Sequence, residues 1–539
     1  MAPRTRKFGG WGVVEEDVTP QELQGLIQHV QARFGLKDLK FQPPPRIEDI
    51  QLKPPRVKPP ARLSHLCSQE PQERAGHTYG KAFKDVVRAY QRDFAHAPDW
   101  VAFPQAESEL VELLEWCSSQ RIAAIPYGGG SSVVSGVEPD VGPGYAGAVS
   151  IDLKHLNRVL EIDRTSRAAH IQGGIYGPDL EAALRQHRLT LRHYPQSFEF
   201  STLGGWIATR GGGHYATLYT HIDDFVENLR VVTPAGISES FRLPGSGAGP
   251  SPDRLFIGSE GTLGIITSAW MRLQDRPTFR ANASVFFPTF LGAAEAVRAI
   301  TQAGLYPANV RILDPGEALN NGVADGRQAV MVLGFESADH PLDAWMVRAL
   351  ECCRDHGGTL PAGASTATQR EAQDAKASRK GAAGAWRDAF IRMPYWRDAL
   401  VGLGLLSETF ETAITWDRFP SFHQQVMDAT TRAVREVCGQ GSVTCRFTHA
   451  YPDGPAPYYS VQAPGKPGSQ LRMMEEIKAA ASEAIVRLGG TITHHHAVGR
   501  YHRPWYDKQR PAPFAGALRA AKKALDPAGI LNPRVLIDP

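Results

Sequence analysis

Apolar residues first fall into register after Thr19. Leu23, Leu26, Ile27, Val30 and Phe34 share one face at helical spacing. Thr19 with Glu22 three residues on is a capping box, and Pro20 occupies the first helical position, so the pattern predicts a helix that begins there. Residues 42–60 then carry seven prolines and no apolar period, which predicts a stiff, extended connector. Leu110, Val111, Leu113, Leu114 and Cys117 predict an amphipathic helix, and the apolar run 122–125 a strand. Val149, Ile151 and Leu153 alternate with Ser150 and Asp152, the period of a half-buried strand. Further strands are predicted at 159–162, 168–171, 229–232 and 264–267. The pattern restarts after residue 277 with a strand at 283–287 and a helix from Phe290, which marks a second domain. Residues 362–379, rich in Ala, Gly, Ser, Thr and Lys, predict an exposed loop. Interleaved strands and helices of this kind make an α+β protein.

Composition narrows the function classes. A chain of 539 residues with 42% hydrophobic and 21% charged residues fits a multi-domain globular enzyme. A net charge of +3 gives no argument for nucleic acid. No apolar run reaches about 18 residues, so no transmembrane helix is expected, and the basic start lacks the apolar stretch of a signal peptide. Cys67, Cys117, Cys352, Cys353, Cys438 and Cys445 form no C-x-x-C pair and read as reduced thiols.

Three glycine-bearing segments carry candidate chemistry. The run PYGGGSS at 126–132 follows the predicted 122–125 strand; a loop without Cβ atoms lets backbone N–H groups converge on an anion, with two serine hydroxyls beside them. It is neither the G-x-G-x-x-G fingerprint nor a P-loop, and by itself it is equally an ordinary turn. Residues 196–213 (QSFEFSTLGGWIATRGGG) and 260–267 (EGTLGIIT) mix small residues with apolar ones. The three together fit one long cofactor lying along backbone; the alternative is three unrelated loops.

In that order the segments resemble the FAD-binding domain of the vanillyl-alcohol oxidase family and, within it, the alkyldihydroxyacetonephosphate synthases. The resemblance extends to GGWG at 9–12, WRDALVGLGLLSETFET at 396–412, CRFTHAY at 445–451 and THHHAVG at 493–499. It implies an N-terminal helical segment and connector (1–90), an FAD-binding domain (91–276), a substrate cap (277–490) and a C-terminal segment (491–539) that returns to the FAD domain. Pro126, Tyr127, Gly128, Gly129, Gly130, Ser131 and Ser132 would then hold the pyrophosphate. Gln196, Ser197, Phe198, Glu199, Phe200, Ser201 and Thr202, with Thr209, Arg210, Gly211 and Gly212, would line the ribityl chain and ring. Glu260, Gly261, Thr262, Leu263, Gly264, Ile265 and Ile266 would complete the pocket. Residues 126–136 contain no His or Cys, so non-covalent FAD is expected; His214 is the histidine nearest the flavin segment. Two departures stand out. Gln196 replaces an acidic residue of the synthases, and a long insertion that animal synthases carry between Arg311 and residues 330–335 is missing.

His494, His495 and His496 are consecutive. In a strand they would alternate faces, so they are not expected to ligate one metal, and no metal is expected. The resemblance makes them catalytic; the other reading is a surface run. Histidine titrates near neutrality, which suits proton transfer. The resemblance also makes Tyr458 catalytic, and a phenol of ordinary pKa near 10 needs a neighbouring cation to serve as a base. Tyr459 would point the other way. Arg311 and Arg397 match substrate-binding arginines, a guanidinium being a planar fork suited to phosphate, with Arg446 a weaker candidate. An ion pair is the competing fate, and Asp398 beside Arg397 permits it. The implied activity exchanges the acyl chain of acyl-dihydroxyacetone phosphate for a fatty alcohol through a flavin N5 adduct, with no net redox change. The alternatives are an FAD-dependent oxidase or dehydrogenase of a hydroxy acid or alcohol, and a non-catalytic flavin- or lipid-binding protein. The implied partners are a small-molecule lipid substrate, peripheral contact with a membrane and a second copy in a homodimer. Residues 536–539 hold no peroxisomal tripeptide, which implies a bacterial, cytoplasmic protein.

Overall fold

The structure is a computed structural model that describes residues 4–219, 221–370 and 381–538, with the side chains of 381–391 excepted. The first predicted helix is Pro20–Phe34, and its box is formed: Thr19 accepts from the Glu22 N–H and the Glu22 carboxylate accepts from the Thr19 N–H. Such a cap is worth about 1 kcal/mol. Val30 and Phe34 bury against Leu400, Leu403 and Leu405, which fastens the N-terminal helix to the second half of the chain.

Two sheets make the first large unit. In one, Trp100–Ala102 and Ala123–Tyr127 both run parallel to the central Ala148–Asp152, with Cys67–Ser68 antiparallel at one edge. The half-buried reading of 149–153 is corrected here. Every residue of Ala148–Asp152 is buried, because the strand is flanked on both sides. Asp152 survives there by meeting His77 Nε2 at 3.1 Å and the Lys154 N–H at 2.9 Å. The other sheet is antiparallel, in the order Val159–Asp163, Ala168–Gln172, Ile265–Arg272, Val226–Thr233, Gly236–Glu239. The helix Glu107–Gln120 packs beside them, its Leu110, Leu113 and Leu114 fully buried.

The second unit is a seven-stranded antiparallel sheet. Its order is Gln369–Arg370, Phe279–Phe287, Ala329–Ser337, Asn309–Leu313, Ser442–Ala450, Pro455–Pro464, Leu405–Glu411. Four helices, Phe290–Gln302, Asp343–Asp355, Phe419–Cys438 and Gln470–Arg487, contribute to the core against it. Strand alternation then separates neighbours: Tyr459 stacks on Phe410 at 4.8 Å in that core, while Tyr458 faces away from it. The expected loop at 362–379 is irregular and largely exposed through 368; from 371 onward it lies outside the described residues. The C-terminal stretch returns to the first sheet: Leu531 bridges Ala124, and Lys522 donates to the carbonyls of Thr262 and Leu531. Among the described residues no helix is long and apolar enough to cross a membrane.

Candidate active site

One cavity is lined by residues of both units. The glycine loop forms part of its wall. Gly128 and Gly129 sit so close to the 200–202 backbone that a Cβ at Gly129 would collide with the Phe200 carbonyl oxygen, and one at Gly128 with Thr202 Oγ1. The loop lines the cavity, and among the described residues no hydrogen bond takes up the backbone N–H of Gly128, Gly129, Gly130, Ser131 or Ser132. Successive N–H groups left free at a cavity wall form an anion nest. They fit the pyrophosphate of FAD. Gly173, Gly204, Gly212 and Gly264 line the same cavity and let backbone approach a flat ring system. Asn532 closes one side, its Nδ2 donating to the carbonyls of Gly136 and Glu260 at 2.9 and 2.7 Å.

Another part of the wall is built by strand register. Arg446 pairs with Tyr458, and Tyr458 with Glu411, so the three stand in one row on one face of the sheet. The Arg446 guanidinium lies over the Tyr458 ring at 4.0 Å and is held behind by the Glu317 carboxylate. Tyr458 Oη donates to Thr409 Oγ1 at 2.9 Å. Burial raises the Tyr458 pKa, against the opposing pull of Arg446 and the Thr409 bond, so the resting group is a neutral phenol. Arg311 and Arg397 line the cavity beside Arg446. Arg311 Nε meets Asn309 Oδ1 at 3.2 Å, and burial lowers its pKa to about 9. Arg397 pairs with Asp398 at 3.0 Å, so the ion pair and the place in the cavity hold together for this residue.

Glu411 organises the histidines. Its buried carboxylate accepts the backbone N–H groups of His494 (2.7 Å), His495 (3.2 Å) and His496 (3.0 Å), and the Thr493 hydroxyl at 2.5 Å. The segment is therefore a turn wrapped on a carboxylate, not a strand. Face alternation fails for that reason: His495 and His496 both line the flavin cavity, whereas His494 turns to the other side. Withdrawal from bulk water is the main cause that lowers the His494 pKa to about 4 and the His496 pKa to about 3, and it holds His495 well below the ordinary range. The rings are thus neutral at pH 7, a correction to the near-neutral titration expected of them. A fourth histidine, His449, lines the same cavity with Nε2 at 2.9 Å from the Gly213 carbonyl. One ring nitrogen from each of His449, His494 and His495 lies within 4.8 Å of the other two. The segment's far end is held by a second carboxylate, Glu260, which accepts the N–H groups of Val498 and Gly499 at 2.9 and 2.7 Å. Burial raises the Glu260 pKa to about 7.

Comparison with known proteins agrees with this geometry. Residues 98–240 match a family described as an FAD binding domain, and residues 276–536 match the C-terminal domain of FAD linked oxidases. The alkyldihydroxyacetonephosphate synthase of Dictyostelium discoideum is 30% identical, the match covering 96% of this chain and 87% of that protein. The chain belongs to the alkyldihydroxyacetonephosphate synthase family. A solved structure of an alkyldihydroxyacetonephosphate synthase superposes with a TM-score of 0.80 at 25% identity, covering 98% of this chain and 97% of that one. The 4-ethylphenol oxidase of Gulosibacter chungangensis shares the fold, with a TM-score of 0.66 at 15% identity over 96% and 97% of the two chains. The fold is thus the vanillyl-alcohol oxidase type, and the cofactor of this family is FAD.

Against that family pattern, most of the anticipated cofactor residues line the cavity, and six do not. Phe198 stacks on Tyr194 at 4.4 Å, and Phe200 meets Trp11 edge-on at 5.5 Å, because aromatic rings between small residues turn into the protein. Glu199 points to solvent. Arg210 reaches out to Asp223 at 2.8 Å. Thr262 donates to the Ser259 carbonyl at 2.7 Å, and Leu263 is core. Conversely, Trp11, His449, Glu408, Thr409 and Glu411 belong to the site without having been singled out. A signal for the last three existed in the family-like segment 405–411, where two glutamates share a strand with Leu405, Leu406 and Phe410, and both are buried.

His214 lines the cavity, yet the loop that would hold the pyrophosphate contains no His or Cys. The expected result of acid precipitation is therefore free FAD in the supernatant. Yellow colour retained by the washed, denatured chain would show a covalent link.

Proposed function

We propose that the chain is an alkylglycerone-phosphate synthase: it replaces the acyl chain of acyl-dihydroxyacetone phosphate by a long-chain alcohol, without net oxidation or reduction. The observation that carries this reading is the convergence of Tyr458, His495, His496 and three arginines on the cavity that holds the glycine loop. An anionic substrate is favoured by Arg311, Arg397 and Arg446, and a guanidinium fork suits its phosphate. Arg446 is fixed by Glu317, Arg397 by Asp398 and Arg311 by Asn309, so little side-chain freedom is lost on binding.

In this reading Tyr458 takes part in proton transfer at the carbon that bears the acyloxy group. It starts as a neutral phenol, so it first gives or relays a proton through Oη and the Thr409 hydroxyl; the arginine over its ring then stabilises phenolate when it forms. Neutral His495 and His496 accept protons beside it, and Glu411 holds their backbone still. FAD, when bound here, supplies the electron-accepting ring on which covalent exchange depends. The same reading includes the cytoplasm as location, peripheral contact with the membranes where long-chain substrates reside, and a homodimer.

The test is anaerobic incubation of the holoprotein with acyl-dihydroxyacetone phosphate and labelled hexadecanol. The expected products, identified by mass spectrometry, are labelled alkyl-dihydroxyacetone phosphate and free fatty acid, with no electron acceptor added. Flavin bleaching by a hydroxy acid or alcohol, with no alkyl product, would make the protein an oxidoreductase, as the FAD linked oxidase match to residues 276–536 allows.

A further inference from the structure

A second cavity lies behind the histidine turn. His494, Tyr451 and His221 line it, and it meets solvent at Phe514 and Arg254, both about half exposed (52% and 51%). The turn on Glu411 thus sends two sequence neighbours into opposite cavities, His495 toward the flavin and His494 toward this second space. They remain joined. Their Nδ1 atoms are 3.1 Å apart, and His494 Nε2 is 2.9 Å from Tyr451 Oη.

We propose that His495, His494 and Tyr451 form a proton path from the flavin cavity to the second cavity. The inference rests on the alkyl-transfer reading. In that reaction the bond from the substrate carbon to the acyloxy oxygen breaks, and a bond from the same carbon to the alcohol oxygen forms. The alcohol loses its hydrogen, and the fatty acid leaves. A carboxyl of ordinary pKa, about 4, is ionised at pH 7, so each turnover releases one proton that must reach solvent.

The hydrogen bonds set how it moves. Both imidazoles are neutral, so one Nδ1 donates and the other accepts. With the hydrogen on Nδ1 of His495, Nε2 of His495 is the free acceptor, and Nε2–H of His494 donates to Tyr451. A proton taken up at Nε2 of His495 drives its Nδ1 proton to His494; His494 then passes its Nε2 proton to Tyr451, whose hydroxyl hands one to water in the second cavity. Glu411 lies 3.5 Å from His495 Nδ1 and stabilises the cation formed in passing. His221, His496 and Arg210 oppose charge on His494, and Glu411 favours it.

The experiment uses the holoprotein, labelled hexadecanol and a pH indicator that reports proton release, in H2O and in D2O. His494→Ala removes both relay nitrogens and leaves room for a small base; Tyr451→Phe removes only the outer hydroxyl. The expected His494→Ala result is turnover down about 10²-fold at unchanged KM and FAD content, with partial recovery on adding imidazole, which the solvent-connected second cavity admits. Tyr451→Phe is expected to turn over more slowly, with a larger solvent isotope effect than wild type. Wild-type turnover in both variants overturns the path and leaves the synthase reading intact. So does a His494→Ala loss that imidazole fails to restore while Tyr451→Phe keeps the wild-type isotope effect, since His494 is then structural. Absence of alkyl transfer in the wild-type protein overturns the synthase reading, and the path with it.

Discussion

Tyr458→Phe lowers alkyl transfer by about 10³-fold while FAD stays bound, the middle of the range for loss of a positioned acid–base group. The substitution removes one oxygen from a buried ring. The ring itself keeps its place under Arg446 and in the strand Pro455–Pro464, so packing changes little. What is lost is the only phenol whose oxygen lies on the Thr409 hydroxyl in the cavity, among the described residues. Thr409 then loses one hydrogen-bond partner, a cost of about 1 kcal/mol, too small to unfold the protein. Steady-state transfer of labelled hexadecanol measures the effect, and flavin absorbance in the same sample checks occupancy. Turnover within a few-fold of wild type would remove Tyr458 from the chemistry.

Loss of the fold on mild acidification is the second large effect. His193, His214, His423, His449, His494, His495, His496 and His502 are all held below the ordinary range, burial being the leading cause for each. Their folded pKa values are depressed and their unfolded values are near 6.5. Below pH 6.5 the unfolded chain therefore binds more protons, and stability falls with pH. Each fully withdrawn ring costs on the order of 1 kcal/mol per pH unit. Over the set this is a large share of a usual total of about 5–15 kcal/mol. Buried carboxyls act in the opposite sense: Asp85 and Asp314, raised to about 6, and Glu260, raised to about 7, favour the fold as pH drops through those values. They offset part of the loss. Thermal melting at successive pH values should show the midpoint fall steeply between about pH 6.5 and 5. A flat profile over that range would mean that the carboxyls offset the histidines fully or that the histidines are protonated in the folded protein.

What was legible in the chain was local. The helix Pro20–Phe34 could be read because its cap, its proline and its apolar face agree. The glycine segments could be read because only a residue without Cβ fits where Gly129 meets the Phe200 carbonyl. Ser150 and Asp152 misled because a polar side chain in a strand usually faces water; here both are buried, and His77 takes the place of water at Asp152. The histidine turn was hidden for a different reason. Its shape is set by Glu411, more than 80 residues away in the chain, and no periodicity within 493–499 records that partner. Phe198 and Phe200 show the limit of carrying a whole segment over as a binding site: the backbone around them faces the cavity, and their rings do not.

The histidine segment hangs between two carboxylates, Glu411 from the seven-stranded sheet and Glu260 from the flavin side. Mechanically it is a tether about five residues long with both ends tied. If the two units swung apart, it would be drawn straight, and five backbone N–H groups would lose buried carboxylate partners at once. A wide clamshell motion is therefore the costly way to admit a long aliphatic chain.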